Sequence, residues 1–357
     1  MSEHHERCEQ HRERGEHGER QEHCERREHH ERRWVSAHLF YHGDQDALIT
    51  GAVKPAVERL RRAGQAHGFF FLRYWEGGPH VRLRVLADPE HAAQVRTAIE
   101  ETSAAFYRAS PSRSSMTAAD YAESAPALAA VERMTAYDTE LHPDNSVAFI
   151  DYAPETAVFG TGRALEAVER QLMAASAVAL ELIARGRTPG QRAMDAYAML
   201  CGNRTLFTGI LPELAYQTRF MVESGGAAAK LLGSEEFERH FEANKAHLRA
   251  GLETVWASTR GVALPAASVA STWLTTVRNL NDTLVELELL GKLDAQLDAY
   301  PVFDAPADVL EHINHLVPQL IVERCAHLMC NRLGISLAQE THLRLLLTRT
   351  AFDLCAV

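Results

Sequence analysis

The chain has 357 residues, and 37 Lys and Arg against 48 Asp and Glu give a formal net charge of -11 with the histidines neutral. A length of this size suggests about two domains, or one large one with an appendage, and 46% hydrophobic residues can build a sizeable core, which excludes general disorder. The acidic balance argues against a nucleic-acid binder that relies on bulk charge, so any anion site has to be local. No apolar run reaches the ~18 residues of a membrane span, and no apolar signal region opens the chain, so no membrane partner and a cytoplasmic location are expected. Six cysteines (Cys8, Cys24, Cys201, Cys325, Cys330, Cys355) are scattered without a CxxC spacing, as expected of reduced thiols and not of a disulfide framework or a thiolate zinc site.

Residues 9–32 repeat as EQHRER, GEHGER, QEHCER and REHHER, after a slipped copy EHHERC at 3–8. Nothing apolar is there to bury. Glu16/Arg20, Glu22/Arg26 and Glu28/Arg32 fall at i,i+4, which supports a lone solvated helix by a few tenths of a kcal/mol per pair. The histidines would spiral around such a helix and cannot form a one-face metal pair, so no metal is expected. Residues 1–33 therefore read as a charged tail, disordered or a lone helix, and 34–357 as the folded body.

The body opens with an aromatic, β-rich run, Trp34–His42, after which Asp44 or Asp46 can cap a helix through about Arg62, with Pro55 kinking or ending its first segment. Two strand-like runs follow, Gly68–Trp75 and His80–Leu86, joined by the turn signal Glu76-Gly77-Gly78-Pro79. A helix from Asp88-Pro89-Glu90 to about Tyr107, a helical insertion at about 117–133 and a strand at Ser146–Tyr152 complete the order βαββαβ. From Thr161 the pattern is helical, over 161–185, 188–215, 234–260, 266–297, 306–333 and 337–354. The expected class is α+β: an N-terminal ferredoxin-like antiparallel sheet with a large C-terminal helical half.

Three stretches carry chemistry. On the second hairpin strand His80, Arg82 and Arg84 share one face and Val81, Leu83 and Val85 the other. A loop of residues 76–79 would pair Trp75 with His80 and set Arg73 opposite Arg82. Like charges directly opposite destabilise a hairpin, so the cluster suits either a cleft that receives an anion or a solvated face with packed Arg stems. In Arg324-Cys325-Ala326-His327-Leu328-Met329-Cys330-Asn331-Arg332-Leu333-Gly334, His327 and Asn331 are i,i+4 neighbours and Gly334 ends the helix. His327 suits a general acid/base or a hydrogen-bonded core histidine. The stretch Tyr152-Ala153-Pro154-Glu155-Thr156-Ala157-Val158-Phe159-Gly160-Thr161-Gly162 leaves the last strand, where loops often carry site residues, and Glu155 is its carboxylate. Ser268, Ser271, Tyr216 and Gln217 are further polar candidates that nothing in the sequence ranks.

The run Phe70-Phe71-Leu72-Arg73-Tyr74-Trp75-Glu76-Gly77-Gly78-Pro79-His80-Val81-Arg82-Leu83-Arg84 resembles the signature of the lantibiotic-dehydratase C-terminal, thiopeptide-type biosynthesis domain. Tyr152–Gly160 and His327 with Asn331-Arg332 are similar to that family's other two marks, in the same order. In its glutamate-elimination members, the resemblance implies, groups matching Arg82, Arg84, Glu155 and His327, with a further arginine, bind a glutamylated Ser or Thr and expel glutamate. Here Val158 stands at that further arginine and Phe159 at a tyrosine. A second branch, the pyridine synthases, is similar in lacking that arginine and in standing without the glutamyl-transferring domain. That branch implies a formal [4+2] aza-cycloaddition of two dehydroalanines, with loss of water and leader peptide. It implies proton transfer by His327, Glu155 or Tyr152 and substrate binding by Arg73, His80, Arg82, Arg84 and Asn331. The partners expected are a modified precursor peptide with its leader and other thiopeptide-modifying enzymes, with no cofactor. A stand-alone glutamate-elimination enzyme and an inactive leader-binding module are the alternatives.

Overall fold

The computed structural model describes residues 32–114, 116–132, 134, 136–208, 234–259, 261–264, 268–296 and 314–355. The hexapeptide repeat, Tyr216, Gln217 and the C-terminal part of the helix expected at 188–215 lie outside them.

Strand β1 (Arg33–Phe40) buries Val35, Ala37 and Leu39 on one side. Asp44 is the N-cap of the next helix, its carboxylate accepting from the Asp46 N–H at 2.9 Å. Helix α1 (Gln45–Leu48) passes through a π-helical turn at Ile49–Val53 into α2 (Lys54–Arg62). Pro55 sits in the first turn of α2, where its missing N–H costs little, so the helix continues across it. Strands β2 (Gly68–Tyr74) and β3 (His80–Ala87), helices α3 (Ala92–Ala109) and α4 (Ala118–Val131), and β4 (Ser146–Ala148) follow. The sheet order is β2-β3-β1-β4, antiparallel throughout, which is the ferredoxin-like arrangement the element order implied. β4 ends well before Tyr152, so the chain reaches that residue as an extended loop.

One face of the sheet carries Phe69, Phe71, Val81, Leu83 and Val85 against Leu48, Ile49, Val53, Val57, Val95 and Ile99 of the flanking helices. Each such side chain contributes about 1.5–3 kcal/mol when fully buried. After the short α5 (Thr156–Phe159), the helical half comprises α6 (Gly162–Ala184), α7 (Pro189–Thr208), α8 (Glu235–Thr259), α9 (Val269–Leu289), α10 (Leu316–Arg332) and α11 (Leu337–Cys355). Ser268, one of the polar candidates, is spent as the cap of α9, accepting from the Ser271 N–H at 3.1 Å.

The helical half meets the sheet along the outer edge of β2. Ser176 of α6 accepts the Phe71 N–H at 3.1 Å, and Asn331 of α10 both accepts from Arg73 N–H and donates to Arg73 C=O, each at 2.9 Å. An edge strand that would otherwise offer unpaired backbone groups is closed by side chains.

The hairpin register differs from the one expected. Tyr74, not Trp75, pairs with His80, so the loop is Trp75–Pro79 and Arg73 lies opposite Val81. Trp75 is drawn out of the ladder by an indole N–H bond of 2.8 Å to Glu132, and Gly77 and Gly78 take φ of 73° and 106°, open to glycine at little steric cost. A shift of one residue moves a side chain to the other face. Arg73 therefore leaves the histidine–arginine face, and its guanidinium binds Asp46 and, at 3.1 Å, the Arg332 carbonyl.

Candidate functional site

The face of the sheet opposite the two ferredoxin helices is polar but largely dry. Cross-strand neighbours Ser36/Arg84, His38/Arg82 and Phe40/His80 line it. His80 is fully buried, with Nδ1 2.8 Å from the Gly78 carbonyl, and its ring stacks on His38 at 4.8 Å between centroids. Burial, reinforced by the nearby cations, pushes His80 down to about 3 and His38 to about 2, so both are neutral near pH 7. Since Nδ1–H of His80 donates to Gly78, its Nε2 is the acceptor for the Arg82 Nε–H at 3.3 Å. Arg82 also donates to Glu76 at 2.7 Å and lies 3.4 Å over the Tyr74 ring. The charge of Arg82 is thus already answered inside the protein.

Arg84 differs. It is 7% exposed, its Nε and Nη1 have no acceptor among the described residues, and its guanidinium lies 4.9 Å from the Tyr152 ring and 5.4 Å from that of Phe70. Arg332, reaching in from α10, is fully buried; it donates through Nε to Ser176 at 2.9 Å, but Nη1 and Nη2 have no acceptor among the described residues. Burial lowers Arg84 to about 10, aided by Arg82, and Arg332 to about 9, aided by Arg84. Desolvating a cation without a partner costs several kcal/mol, and two in one recess compound the cost.

Around this pair, Trp34, Phe70 and Tyr152 form an edge-to-face wall with centroids 4.8, 5.7 and 5.9 Å apart. Glu169 of α6 receives hydrogen bonds from Trp34 and Tyr152, and burial raises its carboxyl above the usual range. Burial, followed by the Glu169 charge, also raises the Tyr152 hydroxyl, so it acts near neutrality as a donor and not as a base. Glu155 stands at the mouth, 3.4 Å from Arg324 and close enough to act on the Arg84 charge. The recess offers guanidinium N–H groups and flat apolar walls, a combination that suits a planar, polar, conjugated group.

His327 lies on the same helix as Arg324 and Asn331, three residues after one and four before the other, so the three share a flank of α10. Arg324 touches Glu155, and Asn331 touches β2, and His327 stands between them along α10. Its Nδ1 is 2.7 Å from Glu340 Oε2, while Glu340 Oε1 accepts from Arg344 at 2.8 and 3.0 Å. Arg344 continues to Glu323 at 2.6 Å, and Glu323 to Arg204 at 3.6 Å. Burial alone would raise Glu340, but the His327 hydrogen bond and the Arg344 charge outweigh it and hold the carboxyl at about 2.

The chain matches the lantibiotic biosynthesis dehydratase C-terminal family over residues 34–351. It belongs to that family. The family fold recurs in the solved pyridine synthase TbtD from thiomuracin biosynthesis, with a TM-score of 0.71 at 23% identity over 91% of this chain and 99% of that one. TsrL matches with a TM-score of 0.61 at 15% identity over 91% and 96% of the two chains. The tRNA-dependent lantibiotic dehydratase MibB from Microbispora sp. 107891 matches at 0.50 and 17% identity over 90% of this chain but only 28% of its own. No curated protein matches the chain.

Of the residues expected in this family member's site, His80, Arg82 and Arg84 share one face, Tyr152 and Glu155 lie near Arg84, and His327 meets Glu340 on α11. Arg73 and Asn331 are taken up by the sheet edge. Trp34, His38 and Glu340 lie outside the motifs read from the sequence, while Arg332 and Glu76 stand within them without an assigned role. Arg332 stands next to Asn331 in the helical motif and could have been found there; Glu340 belongs to the next helix and only the fold brings it to His327. Among the described residues no three His, Cys, Asp or Glu side chains come together as a metal site, and no helix is long and apolar enough to cross a membrane.

Proposed function

We propose that this chain is a thiopeptide pyridine synthase, joining two dehydroalanines of a modified precursor peptide in a formal [4+2] aza-cycloaddition. The observation that carries the reading is a pair of buried guanidiniums: N–H groups of Arg84 and Arg332 have no acceptor among the described residues and lie by an aromatic cluster, while position 158 holds a valine packed against the core. An additional arginine there would suit a departing glutamate; an apolar side chain suits a conjugated, azole-bearing peptide. The family membership supports action on a precursor peptide, and the shared fold with a pyridine synthase supports this branch.

The chemistry begins with an amide held as its iminol, so that C=C–N=C becomes a diene. Two C–C bonds then form to the second alkene, and water and the leader amide leave. Removal of the amide N–H proton leaves an imidate whose oxygen the guanidinium N–H donors stabilise, return of that proton to the oxygen gives the iminol, and holding both alkenes together supplies positioning worth ~7–11 kcal/mol over the bimolecular case. Water is then lost from the iminol carbon, and His327 exchanges the protons of both eliminations. Arg82, braced by Glu76 and His80, orients the peptide and leaves Arg84 and Arg332 to the reacting amide.

Mass spectrometry of the protein with a thiazole-containing, leader-bearing peptide that carries two dehydroalanines tests this. Loss of water together with release of the leader as its carboxamide is the expected result. Glutamate loss from a glutamylated peptide in place of that reaction would support the elimination reading, which retention of Arg82, Arg84, Glu155 and His327 favours. Leader binding with no mass change on either peptide would support a binding module.

A further inference from the structure

Resting on the reading that His327 moves protons, we infer that Glu340 is its positioning residue: the carboxylate fixes the imidazole with its proton on Nδ1 and Nε2 free for the substrate. An ionised carboxylate only accepts hydrogen bonds, so the 2.7 Å contact requires the proton on His327 Nδ1. Glu340 cannot turn away, because its side chain is 5% exposed and its other oxygen is gripped by two Arg344 N–H groups. Arg344 is held in turn by Glu323 on α10, the helix that carries His327. The ring is therefore oriented from behind by a chain of ions that loops back to its own helix.

A fully buried histidine with both ring nitrogens placed shows the contrast. His80 spends Nδ1 on the Gly78 carbonyl and Nε2 on Arg82, so neither nitrogen is left for a reacting group. His327 has Nδ1 engaged and a side chain 34% exposed, so its other nitrogen is not spent on a partner as that of His80 is. Once His327 takes a proton, the adjacent carboxylate also stabilises the imidazolium, so the same contact serves both halves of a transfer.

A purely architectural role, pinning α10 to α11, is the rival, and a double-mutant cycle separates the two. Glu340→Gln should lower kcat about 10- to 100-fold with KM changed less than about twofold, the range for partners that orient a working ligand or base. In the His327→Ala background the same substitution should lower kcat less than about twofold further, since residues acting as one unit are non-additive. Equal losses in both backgrounds, or a loss confined to KM, overturn the inference. If Glu340→Gln does not fold, Glu340→Asp keeps the charge for Arg344 and draws it back from His327, and the kcat loss should persist. Independently of turnover, 15N spectra of the histidines in the full chain should show His327 as the Nδ1–H tautomer, shifting to a mixture in Glu340→Gln. A wild-type Nε2–H tautomer refutes the positioning role even if the cycloaddition is established, and a silent peptide assay with the Nδ1–H tautomer present counts against the proposed reaction alone.

Discussion

Replacing Arg84 with Met should stabilise the protein while removing its activity. Burial and the neighbouring Arg82 lower the Arg84 pKa from 12.5 to about 10, which at 1.36 kcal/mol per unit is about 3 kcal/mol of disfavoured charge. A cation whose folded-state pKa is depressed is penalised at every pH below it, so the cost stands in full below about pH 10 and lifts only as pH approaches the ordinary value of 12.5. Against this, Met forfeits the two ring contacts with Phe70 and Tyr152, each worth about 0.5–1 kcal/mol at such separations. The net gain is about 1–2 kcal/mol, a rise in melting temperature of a few degrees for a domain of this size. Calorimetry or urea titration at neutral pH measures the stability, and the peptide assay measures the activity. A melting temperature lowered by Arg84→Met would mean that the guanidinium has a partner inside the fold, and full turnover in the variant would mean that it does not touch the substrate; either result refutes the reasoning.

Three further outcomes follow from the same geometry. Asn331→Ala removes both bonds that close the β2 edge and should cost about 1–3 kcal/mol, with faster amide exchange at Arg73 and unchanged kcat per folded molecule; unchanged stability with impaired peptide binding would return Asn331 to the substrate. Glu340, held at about 2 against an ordinary 4.5, contributes about 3 kcal/mol that is present above pH 4.5 and is lost as pH falls toward 2. Urea midpoints from pH 6 to 3 should therefore fall more steeply in the wild type than in Glu340→Gln, and parallel curves would exclude that contribution. Gly160→Ala should destabilise by about 1–3 kcal/mol, because φ is 76° there and the new Cβ would stand 2.6 Å from Asp294 Oδ1, the acceptor of the Thr161 N–H; a neutral melting temperature would show that the turn can rearrange.

The alternation of the β3 strand made the shared face of His80, Arg82 and Arg84 legible, because a period of two depends only on the strand being a strand. Hairpin register was not legible. It turned on whether Trp75 joins the ladder or the loop, and its partner Glu132 lies in the helical insertion, far away in sequence. The charge balance of the face was also hidden: Arg82 and Arg84 look equivalent in the sequence, yet Glu76 accepts from one, while Nε and Nη1 of the other have no acceptor among the described residues. The motif around His327 did not reveal that Asn331 meets backbone or that Arg332 turns inward. Most helix boundaries within the described residues followed the apolar spacing and the caps, but α9 stops at Leu289, short of the expected 297, where Gly291 takes a φ of 64° just past its end.

The clamp of Asn331 on Arg73 has a consequence for how the protein assembles. An amide side chain can satisfy both an N–H and a C=O only where the strand turns those two groups outward, and in β2 they alternate with groups already engaged by β3. A hairpin slipped by one residue would present the clamp with the wrong set, and Asn331 would lose both of its bonds to β2. The helix that carries His327 and Arg332 therefore acts as a gauge of the hairpin: its polar contacts with the sheet are complete only when β2 and β3 are in register.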